Sequence, residues 1–325
     1  MSDPRRFAAT PLAATPEAPE GLTATVPRQL VHRASVAETF LTGMTSGEPG
    51  HFTVFAEWPR AHQLHVSPDR SAYEPLLVAE TARQAGTLLA HTAYDVPLGH
   101  QFVLKEARIS ALTERLALGR TPAEPVLRIT VTDVDHRGAR PAGFRYEAEM
   151  RLDGEPVATA EMAANWTSAA AYRRLRGGRS AATVSPLPAP TGLPPAVVDR
   201  PLSADVVLAP SDHPDRWRLR VDTAHAVFFD HPLDHVPGML LLEATRQAVR
   251  ARTTGDRRTP VSFHAFFHRY TELDQPAWIE AFDKTGAHGG DMQVVGQQGR
   301  RQSSSARWSP CAGELSCTGS KKQTA

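Results

Sequence analysis

The residues best placed to do chemistry belong to one short pattern, which the chain carries twice. The pattern is a histidine, seventeen intervening residues, a glutamate, two further residues, an arginine and a glutamine. The first copy holds His62, Glu80, Arg83 and Gln84, and the second holds His225, Glu243, Arg246 and Gln247. Because the copies align without a gap, we interpret the chain as an internal duplication whose halves share one fold.

Each glutamate lies in a segment dominated by leucine, alanine and valine. On a helix, spacings of three and four residues place the glutamate, arginine and glutamine on one face. A carboxylate in apolar surroundings has a raised pKa, which suits a base, whereas a neighbouring arginine lowers that pKa again. We therefore take Glu80 and Glu243 as candidate catalytic bases, and the arginines and glutamines as candidate substrate-binding residues. The alternative is a structural ion pair between the two helices.

The start of the second helix differs from that of the first. Pro237 and Gly238 stand there, and the first N–H groups of a helix can bind an anion or an oxyanion. The first helix starts with Glu74 and Pro75, and proline has no N–H to offer. We therefore expect the second helix to carry the main reacting site, with Gly238 against the substrate. The alternative is that this glycine only eases close packing.

Among the histidines, His235 is a candidate for catalysis, because a loop histidine near a helix N-terminus can act as a general base, although it can equally be a hydrogen-bonded brace of its loop. His62 and His225 are candidate substrate-binding residues, and each can equally be a hydrogen-bonded brace of its loop. The histidine spacing matches no known metal-binding pattern. We expect neither a metal nor another cofactor.

Composition excludes several classes of function. The net charge is +1 and no basic face is evident, so neither nucleic acid nor a membrane surface is an expected partner. No apolar run reaches the ~18 residues of a membrane span, and the N-terminus has no apolar signal core. The two cysteines lie in the polar C-terminal segment. We expect a cytoplasmic protein.

The apolar pattern around each helix predicts strands. Two strand-length runs, 31–41 and 51–58, precede the first helix, and about four follow it. The second half repeats this order, but the pattern fails after Gln297, where a final strand is expected to be missing. A buried helix wrapped by an antiparallel sheet, present twice, predicts an α+β fold of the tandem hot-dog type. The predicted parts are a mobile leader at 1–28, one domain at 29–167, a Pro/Gly/Arg-rich linker at 168–200, a second domain at 201–297, and a disordered polar tail at 298–325.

The chain resembles the A-factor biosynthesis (AfsA) family of γ-butyrolactone autoregulator synthases in several specific segments. These include LVHR at 30–33, EPLLVAETARQ at 74–84, DHVPGMLLLEATRQ at 234–247 and RYTELDQPAWI at 269–279. The resemblance implies two fused hot-dog domains and transfer of a 3-oxoacyl group from acyl carrier protein to the hydroxyl of dihydroxyacetone phosphate. That transfer would be the first step in making a γ-butyrolactone signal. The segment after Gln297 departs from the family pattern, in which a strand continues.

Two other functions stay open. One is a hot-dog dehydratase or thioesterase acting on acyl thioesters, which would need a histidine facing an acid across the domain pair. The other is a non-catalytic regulator that kept the fold. The repeated arginine favours the acyltransferase over a dehydratase or a thioesterase, because neither of those two reactions has a phosphate to bind. The arginines of the linker (Arg173, Arg174, Arg176 and Arg179) could dock an acidic carrier protein, but we expect a solvated, mobile linker there.

Overall fold

The structure is a computed structural model that describes residues 24–253, 262–283 and 291–309. Within these ranges the helices are α1 (Pro75–Thr92), α2 (Ala169–Leu175) and α3 (Gly238–Arg252). The strands of the first half are β1 (Leu41–Ser46), β2 (His51–Ala56), β3 (Gln101–Ala111), β4 (Val126–Arg137), β5 (Arg140–Leu152) and β6 (Glu155–Thr167). Those of the second half are β7 (Leu208–Ala209), β8 (Arg216–Leu219), β9 (Ser262–Phe267), β10 (Ala277–Asp283), β11 (Met292–Gln298) and β12 (Arg301–Ser309).

The strands form one antiparallel sheet in the order β1-β2-β4-β5-β6-β3-β9-β12-β11-β10-β8-β7. The order is symmetric about its centre, where β3 pairs with β9 and Ala107 lies opposite Ala265. On either side of that pair β6 corresponds to β12, β5 to β11 and β4 to β10. The predicted α+β fold, built from two similar halves, is confirmed.

The long helices α1 and α3 pack against the sheet and form the core. Proline suits the first position of α1, because its fixed φ is helical and its missing N–H would have no partner there. The helix is buried on nearly all sides, and even its polar Thr81 is enclosed, where it accepts a hydrogen bond of 2.8 Å from the Trp58 indole. A charged side chain buried on one of these helices is costly unless it is paired, so it needs partners within the protein.

The predicted strand at 31–41 is wrong. Residues Arg28–Val31 form a turn of 3₁₀ helix, and His32 follows with a left-handed φ of 53°, which an extended strand does not contain. The same geometry occurs in the second half, where Pro195–Val198 is followed by Asp199 with φ 55°. In both halves an arginine comes next, and the bend directs it towards the long helices.

The predicted loss of a final strand after Gln297 is also wrong. β11 continues to Gln298, and β12 runs between β9 and β11 in the position that β6 has in the first half. The inward positions Ser304, Ala306 and Trp308 are buried, whereas Arg307 is exposed. The alternation is therefore present, but small and hydroxyl side chains at the inward positions conceal it. Residues 310–325 of the predicted tail lie outside the described residues.

The linker predicted at 168–200 contains ordered structure. Ser168 caps α2 by accepting a hydrogen bond from the N–H of Ala171, and Arg176 follows the helix in a buried position. The expectation of a solvated, mobile linker is therefore wrong for this part. The domain boundaries stay a prediction, and most of the leader, residues 1–23, lies outside the described residues. No helix of the described residues is long and apolar enough to cross a bilayer.

Candidate active site

Glu80 is the centre of a buried hydrogen-bond network in the first half. Its carboxylate accepts hydrogen bonds from Arg33 at 2.6 Å, Arg83 at 2.7 Å and Gln84 at 2.7 Å. Gln84 also donates to the carbonyl of Glu38 and accepts from the N–H of Phe40, so it fixes the segment that leads into β1. The network joins α1 to the chain that precedes the sheet.

The second half repeats this network. Glu243 accepts hydrogen bonds from Arg200 at 2.6 Å, Arg246 at 2.9 Å and Gln247 at 2.6 Å. Each network also crosses to the other half, because Arg33 donates to the carbonyl of Val227 and Arg200 to that of Leu64. The duplicated pattern therefore connects the two halves, although through arginines outside the helices rather than through a pair between the helices.

The two histidines of the pattern brace their loops. The Nδ1 of His62 accepts hydrogen bonds from the N–H groups of Leu64 and His65, and its Nε2 lies 3.3 Å from Glu38. In the second half His225 is bound in the same way, with its Nε2 3.2 Å from Asp205. Both ring nitrogens of each histidine are thus engaged within its own half.

Neither glutamate is suited to take a proton at neutral pH. Burial alone would raise the pKa of each carboxyl. The guanidinium groups of two arginines outweigh that effect and hold the pKa of both Glu80 and Glu243 well below its usual range. Their geometry therefore favours a structural role, in which each carboxylate binds two arginines of its own network, rather than the predicted alternative of an ion pair between the two helices.

A cleft of about 480 Å³ lies between the two halves. It is bounded by α1, by the start of α3 and by the central strands β3 and β9. Much of its lining is apolar, including Phe102, Leu104, Met162, Met239 and Phe267. Its charged or titratable lining residues are all arginine, lysine, histidine or tyrosine: His32, Arg33, Arg83, Lys105, Tyr146, His231, His235, His268, Arg269 and Tyr270. The cleft therefore suits a ligand with a long apolar part and an anionic part.

Of the predicted site residues, the cleft brings together Arg83, His235 and Gly238. Arg83 is bound to Glu80 through its Nε and Nη2, and 22% of its side chain is exposed. Its counterpart Arg246 is only 2% exposed and does not line the cleft. The two arginines therefore bind their glutamates in the same way, but only Arg83 lines the cleft.

Gly238 is the first residue of α3 and faces the cleft. A Cβ built there would lie 3.5 Å from the Phe267 ring and 3.7 Å from Leu104, which are ordinary contacts. Packing alone therefore does not require glycine here. The helix start supplies N–H groups without intrahelical acceptors, together with the positive end of the helix dipole.

His235 forms a dyad with the residue before it. Its Nδ1 lies 2.6 Å from the carboxylate of Asp234, and its ring packs edge-on against Tyr270. Burial of Asp234 opposes ionisation, but hydrogen bonds from His235, Tyr172 and Arg176 outweigh burial and hold the pKa of this carboxyl below its usual range. An ionised Asp234 accepts the Nδ1–H, which leaves the Nε2 of a neutral His235 with its lone pair.

A second dyad of the same kind lies four residues earlier. His231 has its Nδ1 2.5 Å from Asp230, which also accepts a hydrogen bond from the N–H of Ala34. His231 lines the same cleft. The nearby His32 is uncharged at neutral pH, because burial, aided by the charge of Arg83, lowers the pKa of His32 to about 3.

Sequence reasoning missed the two carboxylates of these dyads, and it missed Arg33 and Arg200, the network arginines that lie outside the helices. The string DHPLDH at 230–235 contains both dyads and was the available signal. The arginines could have been found from a second repeat, since Arg33 stands five residues before Glu38 and Arg200 five residues before Asp205. No signal in one sequence connects Tyr172 or Arg176 to Asp234.

Comparison with known proteins agrees with this arrangement. Residues 14–168 and 181–306 match the model of the A-factor biosynthesis hotdog domain, so both halves match the same domain. This chain belongs to the A-factor biosynthesis hotdog domain family. The resemblance and the tandem hot-dog fold inferred from sequence are thereby confirmed.

Curated relatives align with most of this chain. A 2-oxo-3-(phosphooxy)propyl 3-oxoalkanoate synthase from Streptomyces virginiae is 46% identical over 84% of this chain and 92% of its own length. One of the same name from Streptomyces coelicolor is 36% identical over 84% of this chain and 87% of its own length. Among solved structures, an acyl-ACP thioesterase from Bacteroides thetaiotaomicron covers 81% of this chain and 99% of its own, with 12% identity and a TM-score of 0.50. That likeness shows the fold alone.

Proposed function

We propose that this protein transfers a 3-oxoacyl group from the thioester of an acyl carrier protein to the hydroxyl of dihydroxyacetone phosphate. The product would be a 2-oxo-3-(phosphooxy)propyl 3-oxoalkanoate, the first intermediate towards a γ-butyrolactone signal. The relatives that align over most of this chain carry the name of this activity.

One observation carries the proposal. A single cleft is lined by a histidine whose Nε2 has no hydrogen bond among the described residues, a helix start and an arginine, beside an apolar wall. Acyl transfer to a phosphorylated alcohol needs these four features: a base, donors for the oxyanion, an anion anchor and room for a fatty chain.

In the proposed reaction, the Nε2 of His235 takes the proton of the acceptor hydroxyl as its oxygen attacks the thioester carbonyl. The N–H groups at Gly238 stabilise the negative charge that develops on the carbonyl oxygen. The carbon–sulfur bond then breaks, and the proton passes from His235 to the thiolate. The products are the ester and the free carrier thiol, with every atom retained.

We assign the phosphate to Arg83, whose guanidinium is fixed by Glu80 and partly exposed in the cleft. A guanidinium that is already held in place loses little conformational freedom when it binds a phosphate. In this assignment Glu80 positions the anchor instead of acting as a base. Arg246, Glu243, Gln84, Gln247, His62 and His225 then serve the bracing networks.

The experiment is to incubate the full-length protein with a 3-oxoacyl carrier protein and dihydroxyacetone phosphate, and to detect the phosphorylated ester by mass spectrometry. We expect ester only when protein and acceptor are both present. Release of free 3-oxo acid without the acceptor would instead support a thioesterase. No ester above the protein-free control would contradict the proposed function.

A comparison of two acyl donors tests whether the protein recognises the carrier protein. The same acyl group is offered on carrier protein and on a short pantetheine thioester at equal concentration. We expect a higher kcat/KM with the carrier protein, because contacts outside the cleft add to binding of the acyl chain. Equal values would contradict the assignment of a carrier protein as the donor.

A further inference from the structure

The segment that joins the two repeats contributes side chains to the dyad of His235. α2 begins directly after β6, the last strand of the first half, and carries Tyr172 on its buried side. Arg176, one turn later, is also buried. These two residues belong to neither copy of the repeat.

Both side chains bind the carboxylate of Asp234. The Tyr172 hydroxyl donates to its Oδ1 at 2.7 Å, and the Arg176 Nε donates to its Oδ2 at 2.9 Å. Arg176 also donates to the backbone carbonyl of Asp234 at 3.3 Å. Each carboxylate oxygen therefore has a donor from the joining segment, in addition to the Nδ1–H of His235.

Arg176 is itself held from two sides. Glu272 accepts hydrogen bonds from its two terminal nitrogens at 2.6 and 2.7 Å, and the Tyr270 ring lies 4.3 Å from the centre of its guanidinium. A bidentate pair with a stacked ring fixes the plane of a guanidinium. The direction of the Nε–H towards Asp234 is therefore set by these two neighbours.

Among its described residues, the first half has no equivalent of this arrangement. The positions that correspond to Asp234 and His235 are Ser71 and Ala72, which offer neither a carboxylate nor an imidazole. The bracing networks are duplicated, whereas this cluster occurs once, beside the cleft. An unduplicated cluster whose buried carboxylate has hydrogen-bond donors on both oxygens, next to a cleft, points to a function rather than to the shared fold.

We propose that Tyr172 and Arg176 are positioning residues, which lock the Asp234 carboxylate so that His235 keeps its proton on Nδ1 and presents Nε2 to the cleft. The catalytic consequence rests on the proposed function, whereas the protonation state of the ring does not. A histidine base with the proton on the wrong nitrogen cannot take a proton from a substrate in the cleft.

The direct readout is the tautomer of His235, observed by nitrogen-15 NMR of the imidazole in the full-length protein and assigned by comparison with His235→Gln. In the wild type at a pH where the ring is neutral, we expect protonated Nδ1 and unprotonated Nε2. Asp234→Asn is expected to change this tautomer and to lower kcat by roughly 10³-fold, with KM little changed. Tyr172→Phe and Arg176→Gln are expected to give mixed tautomers and about 10-fold losses in kcat.

Arg179→Gln is the matched control. Arg179 lies in the same segment and pairs with Glu272 at 3.1 Å and Asp274 at 2.7 Å, but it has no hydrogen bond to Asp234 among the described residues. It should keep the wild-type tautomer and a kcat within about twofold of wild type. Tyr172→Phe removes the hydroxyl and keeps the shape of the ring. Its tautomer therefore tests the inference even if Asp234→Asn or Arg176→Gln fails to fold.

An unchanged tautomer in Asp234→Asn or in Tyr172→Phe would overturn the inference, and so would an Arg179→Gln variant that matches Arg176→Gln. Failure of the wild type to form ester would overturn the proposed function alone, because the tautomer is measured without substrate.

Discussion

At the scale of single residues, matching side chains have different surroundings in the two halves. Arg83 and Arg246 occupy the same place in the repeat and hold the same kind of glutamate, yet one borders the cleft and the other is enclosed. Sequence spacing predicted the glutamate–arginine–glutamine groups correctly as groups. It could not tell which copy borders a cleft, because that depends on packing between distant segments.

Replacing Glu243 tests its structural role. Glu243→Gln leaves Arg200 and Arg246 buried without a counter-charge, and we expect a loss of about 3–5 kcal/mol in the free energy of unfolding at pH 7. Glu80→Gln should cost less, because its partner Arg83 is partly exposed. Urea unfolding measures both. Wild-type stability combined with lost activity would instead support a base.

The difference in unfolding free energy between wild type and Glu243→Gln should depend on pH. The folded pKa of Glu243 lies below its unfolded value of about 4.3, so its contribution is complete above that value and declines as the pH falls towards the folded pKa. The stability difference between wild type and Glu243→Gln should therefore narrow by about 1 kcal/mol from pH 7 to pH 3.5. A difference that widens towards acid would contradict this sign.

Gly238→Ala separates the two explanations of this glycine. A methyl group fits beside Phe267 and Leu104, so thermal unfolding should show stability equal to or slightly above wild type. If substrate approaches the helix start closely, kcat/KM should fall by about 10-fold or more. Loss of stability without loss of activity per folded molecule would support the packing explanation.

At the scale of elements, helices and strands with a regular apolar pattern could be predicted from the sequence, whereas those with an interrupted apolar pattern could not. The two long helices could be located because their apolar runs are long, and β12 was missed because Ser304 and Ala306 take two of its inward positions. The apolar residues around Arg33 predict a strand, whereas a left-handed residue before the arginine turns the chain. Backbone bends at single non-glycine residues leave little trace in a sequence.

Trp308 tests whether β12 is an integral strand. Its side chain is buried, with its ring centre 4.7 Å from that of Phe263 on β9. Trp308→Ala should lower the free energy of unfolding by about 3–5 kcal/mol, whereas Arg307→Ala, on the exposed side of the same strand, should stay within about 0.5 kcal/mol of wild type. Equal stabilities of the two variants, measured by urea unfolding, would contradict the strand.

At the scale of the whole molecule, the halves depend on each other. β3 pairs with β9 across the centre of the sheet, and Arg33 and Arg200 each bind a carbonyl in the opposite half at 2.9 and 2.8 Å. The cleft takes Arg83 from one half and His235 from the other. Duplication thus supplied two copies of the frame, and the copies diverged so that Arg83 of the first and His235 of the second line one cleft.

Such coupling predicts a single unfolding transition. Circular dichroism and tryptophan fluorescence should give coincident urea curves with one midpoint, because neither half can expose its central strand without breaking pairs to the other. Two separated midpoints would show that the halves fold independently.

The most direct test of the account is steady-state kinetics of ester formation with dihydroxyacetone phosphate as the varied substrate. Arg83→Gln should raise KM for this acceptor by about 10- to 100-fold with kcat little changed, and His235→Gln should lower kcat by about 10²- to 10⁴-fold. Wild-type kinetics in both folded variants would contradict a single cleft built from both halves.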